Sequence, residues 1–284
     1  MFHLPFRLPT LPRICRRSGN GLWLVALLLL AVAQPGLARE GKDQPDGLPA
    51  ELRVAVLAPP IPAPKVRPGM PSGNLSALDE DLALEICRRL NVRCRIDFRL
   101  FADILPAVEK GEAALGLSNF QKTPERLQRV DFSAALWRSS SRLVGRRHAS
   151  PPGQQLEHLR DVRIAAVNQS QQHRYLQGIA TRQRLQVVTV DSMSDGLAAV
   201  RGQQADYCLV PMFNAYALLA EDHRAELTFV GPPLTGDGLG GTVHIALGKG
   251  NEALRRAVDQ ALLAIRQDGT FARLMRRHFP VLLD

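Results

Sequence analysis

The sequence has 284 residues, enough for one large domain or two smaller domains with cores of their own. Its 45% hydrophobic and 22% charged residues form an ordinary globular balance, which argues against an intrinsically disordered chain. The net charge of +9 raises the question of nucleic-acid binding, but only 5% of the residues are aromatic and the basic residues are scattered. Because the sequence does not interleave basic residues with aromatic stacking platforms, we expect no nucleic-acid partner.

Residues 1–38 have the pattern of a secretory signal peptide. Four arginines within residues 7–17 precede an apolar run over residues 22–33, and a small-residue ending follows at residues 36–38. The run is shorter than the roughly 20 apolar residues of a transmembrane anchor, although a retained anchor is the alternative. Cleavage would leave 32 of the 36 basic residues against 27 acidic ones, a charge of about +5. We therefore expect export to the periplasm.

A first series of alternating strands and helices follows a polar linker at residues 39–50. The apolar and polar spacing predicts strands at 52–58, 94–100 and 113–119, and helices at 76–90 and 101–112. Ser76 is the candidate N-cap of the first helix, and Gly111 ends the second. Recurring prolines make residues 59–73 a loop.

The same series then begins again. The pattern predicts strands at 161–168, 185–191 and 205–211, with helices between them at 170–183 and 192–203. Residues 251–279 predict two more helices, separated at Asp268 and Gly269. Strands that alternate with helices of this length are typical of a largely parallel α/β sheet. A repeated unit therefore predicts two similar α/β lobes, and proteins of that architecture bind ligands between the lobes.

The cysteines are consistent with an exported protein. Cys87 and Cys94 flank the end of a predicted helix and the start of a strand, so a short loop can bring them within disulfide range. We expect a disulfide there, and two reduced, half-buried thiols are the alternative. Cys208, in an apolar strand, is expected to be a small buried hydrophobic residue. No spacing of His and Cys suggests a metal site.

Five stretches match, in the right order, the motifs of one known family. They are A-L-D-E-D-L at 77–82, cysteines at 87 and 94, an aromatic residue at 101 followed by I-L-P at 104–106, T-P-E-R with V-D-F-S at 123–133, and D-G-T at 268–270. Over about residues 51–279 the sequence resembles the bacterial periplasmic solute-binding proteins of family 3. Within that family it is similar to the histidine binders and the lysine/arginine/ornithine binders.

The resemblance implies a type II periplasmic-binding-protein fold, with two α/β lobes joined by a two-segment hinge. Lobe 1 would contain residues 51–140 plus 236–284, and lobe 2 residues 141–235. Members of this family need no cofactor. They bind a small solute, close around it, and present the closed form to a membrane permease or a sensor protein. We expect a monomer without catalytic residues.

The resemblance also points to Arg126 as the main ligand-binding residue. The arginine of the T-P-E-R motif would pair with the carboxylate of the ligand, a role that suits a planar guanidinium. The alternative is a solvated helix residue. Ser118, Asn119 and Gln121 occupy the positions of assisting polar groups.

Three further residues would complete the pocket. Ser170 and Gln171 begin the helix that would face Arg126 across the cleft, although Ser170 is equally consistent with a plain N-cap. Phe101 matches an aromatic position near the pocket, and a core aromatic is its alternative.

Two departures from the family pattern bear on the ligand. The loop that should supply an acid and an aromatic reads L-A-P-P-I-P-A at 57–63, and the acid that should pair with the ligand's ammonium group falls at or beside Pro211. A buried ammonium group without a carboxylate partner costs several kcal/mol. We therefore expect a small carboxylate-bearing solute. An amino-acid-like solute is one alternative, and a carboxylate that lacks the ammonium group is the better fit.

Two other functions are alternatives. The first is an enzyme such as a periplasmic cyclohexadienyl dehydratase, for which Glu125, Lys122 and His173 are the available acid and base groups, although no nucleophile–base pair is visible. The second is an accessory protein that has lost ligand binding and docks to a periplasmic enzyme or sensor. The main prediction remains a non-enzymatic receptor.

Overall fold

The computed structural model describes residues 47–59, 74–149, 154–220 and 226–279. The predicted signal peptide and most of the proline-rich loop lie outside these residues. Twelve strands are present in the described parts: β1 (Glu51–Leu57), β2 (Arg93–Arg99), β3 (Leu115–Leu117), β4 (Val130–Phe132), β5 (Arg138–Ser139), β6 (Ser141–Arg146), β7 (Arg163–Val167), β8 (Gln186–Val190), β9 (Tyr207–Pro211), β10 (Leu227–Leu234), β11 (Gly241–Thr242) and β12 (Ala246–Gly248).

Helices lie at every position that the sequence predicts. The described helices are α1 (Leu75–Arg89), α2 (Phe101–Glu109), α3 (Pro124–Arg129), α4 (Gln171–Gln183), α5 (Met193–Arg201), α6 (Met212–Ala220), α7 (Glu252–Gln267) and α8 (Thr270–His278), with a short 3₁₀ helix at Leu156–His158. The pair α7 and α8 is separated at Asp268 and Gly269, as the sequence predicts. Gly269 has a φ of +74°, a backbone conformation that glycine adopts without steric cost.

Two five-stranded sheets are built from the repeated unit. The first has the order β2-β1-β3-β12-β4 and the second β10-β6-β9-β7-β8. In each sheet the three strands of the repeat are parallel, because a helix connects each to the next. The two remaining strands of each sheet run antiparallel to their neighbours. The expectation of largely parallel sheets is thus correct only for the repeats.

A two-stranded antiparallel sheet joins the segments that connect the two larger sheets. The chain leaves the first sheet through β5 and returns from the second through β11, and these strands pair Ser139 with Gly241 and Arg138 with Thr242. The connections between the sheets therefore run side by side, as a two-segment hinge requires.

Helix α1 shows how the sequence forms one of the core-facing helices. Leu78, Leu82 and Ile86 recur at helical spacing and are fully buried against the first sheet. The prediction that Ser76 caps this helix is wrong. Asn74 is the N-cap, and its side chain accepts a hydrogen bond from the Ser76 backbone N–H at 3.0 Å. The helix begins one residue before Ser76, because Asn is as good an N-cap as Ser.

The expected disulfide joins Cys87, near the end of α1, to Cys94 in β2, with the Cα atoms 5.7 Å apart. It ties a helix to the edge strand of the first sheet. Cys208 is fully buried, as predicted, and burial raises the pKa of its thiol to about 12. It is therefore a hydrophobic core residue of the second sheet.

Candidate functional site

A cavity of about 300 Å³ lies at the carboxyl ends of the parallel strands of both sheets. Leu57 ends β1, Leu100 follows β2 and Asn119 follows β3, and all three line the cavity. In the second sheet, the corresponding lining residues are Val167 at the end of β7, Asp191 just after β8 and Pro211 at the end of β9. Ligands of open α/β sheets bind at this edge, because the loops there are free to carry functional side chains. The cavity is therefore the candidate binding site.

Five helices begin at this cavity. Their first turns or N-caps contribute lining residues: Asn74 and Leu75 of α1, Phe101 of α2, Ser170 and Gln171 of α4, Ser192 and Met193 of α5, and Asn214 of α6. The N-terminal end of a helix carries a partial positive charge and free backbone N–H groups. Their convergence favours an anionic group in the cavity.

Arg126 lies on the first-sheet side of the cavity, on the first turn of α3. Thr123 caps the helix by accepting a hydrogen bond from the Arg126 backbone N–H. The guanidinium donates from Nη1 to the Gln121 carbonyl at 3.0 Å and from Nη2 to the Gln169 carbonyl at 3.4 Å. Because Gln169 belongs to the second-sheet side, this side chain contacts both walls.

The guanidinium of Arg126 is an unpaired buried charge. The residue is 2% exposed, its Nε has no hydrogen-bond partner, and no carboxylate within the described residues forms an ion pair with it. Burial, together with the positive charge of Arg174, lowers the pKa of Arg126 to about 10. The group therefore remains charged at neutral pH, and a carboxylate in the cavity would compensate its charge.

Two aromatic rings flank the guanidinium. The Arg126 Cζ atom lies 5.9 Å from the centre of the Phe101 ring and 5.5 Å from that of Phe120. The two rings stack on each other with centroids 5.0 Å apart. Phe120 is fully buried, whereas Phe101 also lines the cavity. The rings restrict the orientation of the guanidinium and exclude water from one side of it.

The structure brings six of the seven residues expected to bind the ligand to the cavity. Arg126, Phe101, Asn119, Gln121, Ser170 and Gln171 all line it. Ser118 is 1% exposed and does not line it. Ser170 also acts as the N-cap of α4, since its side chain accepts a hydrogen bond from the His173 backbone N–H at 3.0 Å. Ser170 is therefore both the N-cap of α4 and a lining residue of the cavity.

Sequence reasoning missed several lining residues on the second-sheet side. Asp191 and Ser192 follow β8, Asp195 lies in the first turn of α5, and Asn214 lies near the start of α6. The available signal was positional, because all four lie at or just after the carboxyl end of a predicted parallel strand. Asp191 and Asp195 are exposed, and Asp195 completes a capping box with Ser192.

Three amide oxygens of cavity residues have no hydrogen-bond partner. They are Oδ1 of Asn119, Oε1 of Gln171 and Oδ1 of Asn214, and each atom is buried. The amide nitrogen of Asn119 donates to Ser139 Oγ at 3.1 Å, and this bond fixes the orientation of its side chain. Buried acceptors without a partner are costly, and these three oxygens have almost no surface exposed to the cavity.

The acid and base groups named as candidates for catalysis do not line this cavity. None of Lys122, Glu125 and His173 is among its lining residues. Glu125 forms an ion pair with Arg174 at 3.5 Å, and His173 Nε2 lies 3.0 Å from Thr189 Oγ1. Within the described residues, no group of three or more acidic, His or Cys side chains could hold a metal ion, and no helix has the length and apolarity to span a membrane.

A family model described as bacterial extracellular solute-binding proteins, family 3, matches residues 64–281. The chain belongs to this family. The resemblance carried by the sequence motifs is thereby confirmed.

Two known relatives of this solute-binding chain illustrate the family. The L-arginine-binding protein of Pseudomonas aeruginosa is 25% identical over 215 residues, which cover 74% of this chain and 81% of that protein. The lysine/arginine/ornithine-binding periplasmic protein of Escherichia coli is 26% identical over 215 residues, covering 73% and 80%. An ancestral arginine-binding protein, solved bound to arginine, superposes with a TM-score of 0.71 at 23% identity and covers 81% of this chain and 99% of its own. This likeness shows the type II periplasmic-binding-protein fold.

Proposed function

We propose that this protein is a periplasmic receptor that captures a small carboxylate-bearing solute in its cavity and is not an enzyme. The observation that carries the proposal is the unpaired, buried guanidinium of Arg126. Leaving a charge buried without a partner destabilises a folded protein, and such charges are retained where they bind something. A carboxylate can accept two parallel hydrogen bonds from the guanidinium.

The proposed lobes follow from the path of the chain between the sheets. We assign residues 51–140 plus 236–284 to lobe 1 and residues 141–235 to lobe 2, with the paired strands β5 and β11 as the hinge. A solute held by Arg126 of lobe 1 and by Ser170 and Gln171 of lobe 2 would contact both. It would therefore favour the closed state by its higher affinity for that state.

The relatives support the remaining parts of the proposal. The Escherichia coli relative is named as a periplasmic protein, which is consistent with export through the predicted signal peptide at residues 1–38. By analogy, the closed form of this protein would be recognised by a membrane permease of the ABC-transporter type or by a sensor protein. The cavity needs no cofactor for this role, and we expect a monomer.

Calorimetric titration tests this function. Small carboxylic acids and amino acids, including arginine, are titrated into the mature protein, and we expect at least one to bind with a micromolar Kd, about −8 kcal/mol. Arg126→Met should weaken that affinity by about 2–3 kcal/mol, because a charged hydrogen bond is lost. Arg129→Met is the matched control. Arg129 lies on the same helix but is half-exposed and paired with Glu109, so its loss should leave affinity unchanged.

Two results would contradict the proposal. One is a solute that binds the natural protein and Arg126→Met with equal affinity, which would show that Arg126 does not hold its carboxylate. The other is the absence of binding throughout the panel while a periplasmic protein co-purifies, which would favour the docking role.

A further inference from the structure

An ion pair crosses the cleft beside the candidate site. Arg174 Nη1 lies 3.5 Å from Glu125 Oε2, and the two side chains are 41% and 65% exposed. Glu125 lies on the first turn of α3, directly before Arg126, and Arg174 lies at the end of the first turn of α4. We propose that this ion pair is a latch that holds the two lobes closed over the solute. The inference rests on the proposed function, in which α3 belongs to lobe 1 and α4 to lobe 2.

A second contact joins the same two helix starts. Arg126 Nη2 donates a hydrogen bond to the Gln169 carbonyl at 3.4 Å, and Gln169 directly precedes Ser170, the N-cap of α4. Arg126 is buried, whereas Glu125 is exposed. The hydrogen bond therefore lies inside the cleft and the ion pair at its rim. Both contacts require the starts of α3 and α4 to be close together, so both are lost when the lobes open.

The charge of Arg174 is unfavourable within its own lobe. The first turn of α4 contains no acidic residue, and a cation there is repelled by the partial positive charge of the helix end. Burial, followed by the charge of Arg174, lowers the pKa values of both Arg126 and His173. In the described part of the chain, Arg174 forms no ion pair with an acid of lobe 2, and Glu125 is the acid that it contacts. The compensating charge thus comes from across the cleft.

An ion pair between lobes acts differently from one within a lobe. Its free energy is gained only in the closed state, so all of it enters the equilibrium between open and closed lobes. A partly exposed pair is weak and changes an equilibrium constant by about twofold to fivefold. Because the solute binds the closed state, a similar factor should appear in its affinity, although neither Glu125 nor Arg174 lines the cavity.

The chain offers a matched control for this ion pair. Arg129 also lies on α3, and it pairs with Glu109 at the end of α2, so both partners belong to lobe 1. Each of these two side chains is 38% exposed. Loss of this pair removes the same chemistry from the same helix without affecting a contact between lobes.

Spin labels on α3 and α4 measure closure without any solute. Gln128 and Gln177 are both exposed, and each follows a member of the ion pair by one turn of its helix, so closure brings them together. Both are replaced by Cys in the mature protein and labelled. Cys208 is buried and Cys87 is bonded to Cys94, so the labels react with the introduced thiols. Double electron–electron resonance then gives the distribution of distances between the labels.

We expect Glu125→Gln and Arg174→Gln each to shift the ratio of closed to open lobes toward the open state by about twofold to fivefold. The double variant should be no more open than either single variant, because each change removes the same interaction. At about 1 M salt, which screens exposed charges, the natural protein should approach the variants. Glu109→Gln should leave the distances unchanged.

Two results would overturn the inference. One is a distance distribution that is the same in the natural protein and in all three latch variants. The other is a double variant whose shift equals the sum of the two single shifts, because the two residues would then act independently.

Calorimetric titration with the solutes of the panel separates this inference from the proposed function. A solute that loses affinity in Arg126→Met but binds Glu125→Gln as tightly as the natural protein overturns the latch and leaves the function standing. Variants that open as expected, with no solute of the panel bound, support the latch and contradict the function.

Discussion

Replacing Arg126 by Met should stabilise the ligand-free protein while it weakens solute binding. Arg126 is 2% exposed, and the depression of its pKa to about 10 corresponds to about 3 kcal/mol of destabilisation at neutral pH. Because the unfolded chain holds this proton more tightly than the folded protein does, the penalty is fully present below pH 10. It fades as the pH rises beyond that value.

The net gain is smaller than this penalty. The substitution also removes the hydrogen bond to the Gln121 carbonyl and the contacts with Phe101 and Phe120, which together offset about 1–2 kcal/mol. Methionine fills much of the same volume with apolar atoms that suit these rings. We therefore expect the free energy of unfolding to rise by about 1–2 kcal/mol.

Urea unfolding at pH 7, followed by circular dichroism without added solute, measures this change. Arg129→Met provides the comparison, since loss of its exposed ion pair with Glu109 should lower the free energy of unfolding by less than about 1 kcal/mol. The reasoning is refuted if Arg126→Met unfolds at a lower urea concentration than the natural protein. That result would mean that the guanidinium is already well compensated in the ligand-free fold.

Two further predictions concern the first lobe. Replacing both Cys87 and Cys94 by alanine should lower the free energy of unfolding by about 2 kcal/mol, because the disulfide closes a short loop, and an unchanged urea midpoint under oxidising conditions would contradict this. Asp79 is fully buried, both its carboxylate oxygens lack partners, and burial raises its pKa well above the usual value. The folded protein therefore retains a proton that the unfolded chain loses above about pH 4, so the natural protein becomes less stable as the pH rises through this range. Asp79→Asn lacks the titrating group. Its free energy of unfolding, relative to that of the natural protein, should therefore rise by about 1.4 kcal/mol per pH unit between the two pKa values. Urea midpoints of both proteins from pH 4 to pH 8 measure this, and a difference that does not vary with pH would rule it out.

The fold could be predicted from sequence wherever local pattern and topology agree. The two repeats give three parallel strands each, because a helix between consecutive strands forces that geometry. The antiparallel strands β4, β6, β10 and β12 were not foreseen. They are short or irregular, and their pairing depends on contacts between residues far apart in the chain.

Only part of the site could be predicted from the sequence. Arg126 and its neighbours lie within one continuous motif, so the resemblance to a known family located them together. Asn214, Asp191 and Asp195 reach the cavity from the ends of two other strands, and no local pattern marks them as binding residues. Their role depends on the folding of the second sheet, which places strand ends from different parts of the chain at one edge.

The Nε–H group of Arg126 offers the most direct test of the account. In this structure Nε is buried and has no hydrogen-bond partner. Arginine side-chain ¹H–¹⁵N spectra are recorded during titration with a carboxylic acid that binds in calorimetry, with Arg126→Met used to assign the signal. We expect the Arg126 Nε–H resonance to shift as a carboxylate binds beside the guanidinium, with the same Kd as calorimetry gives. A solute that binds while this resonance stays in place would contradict the central claim that Arg126 holds the carboxylate.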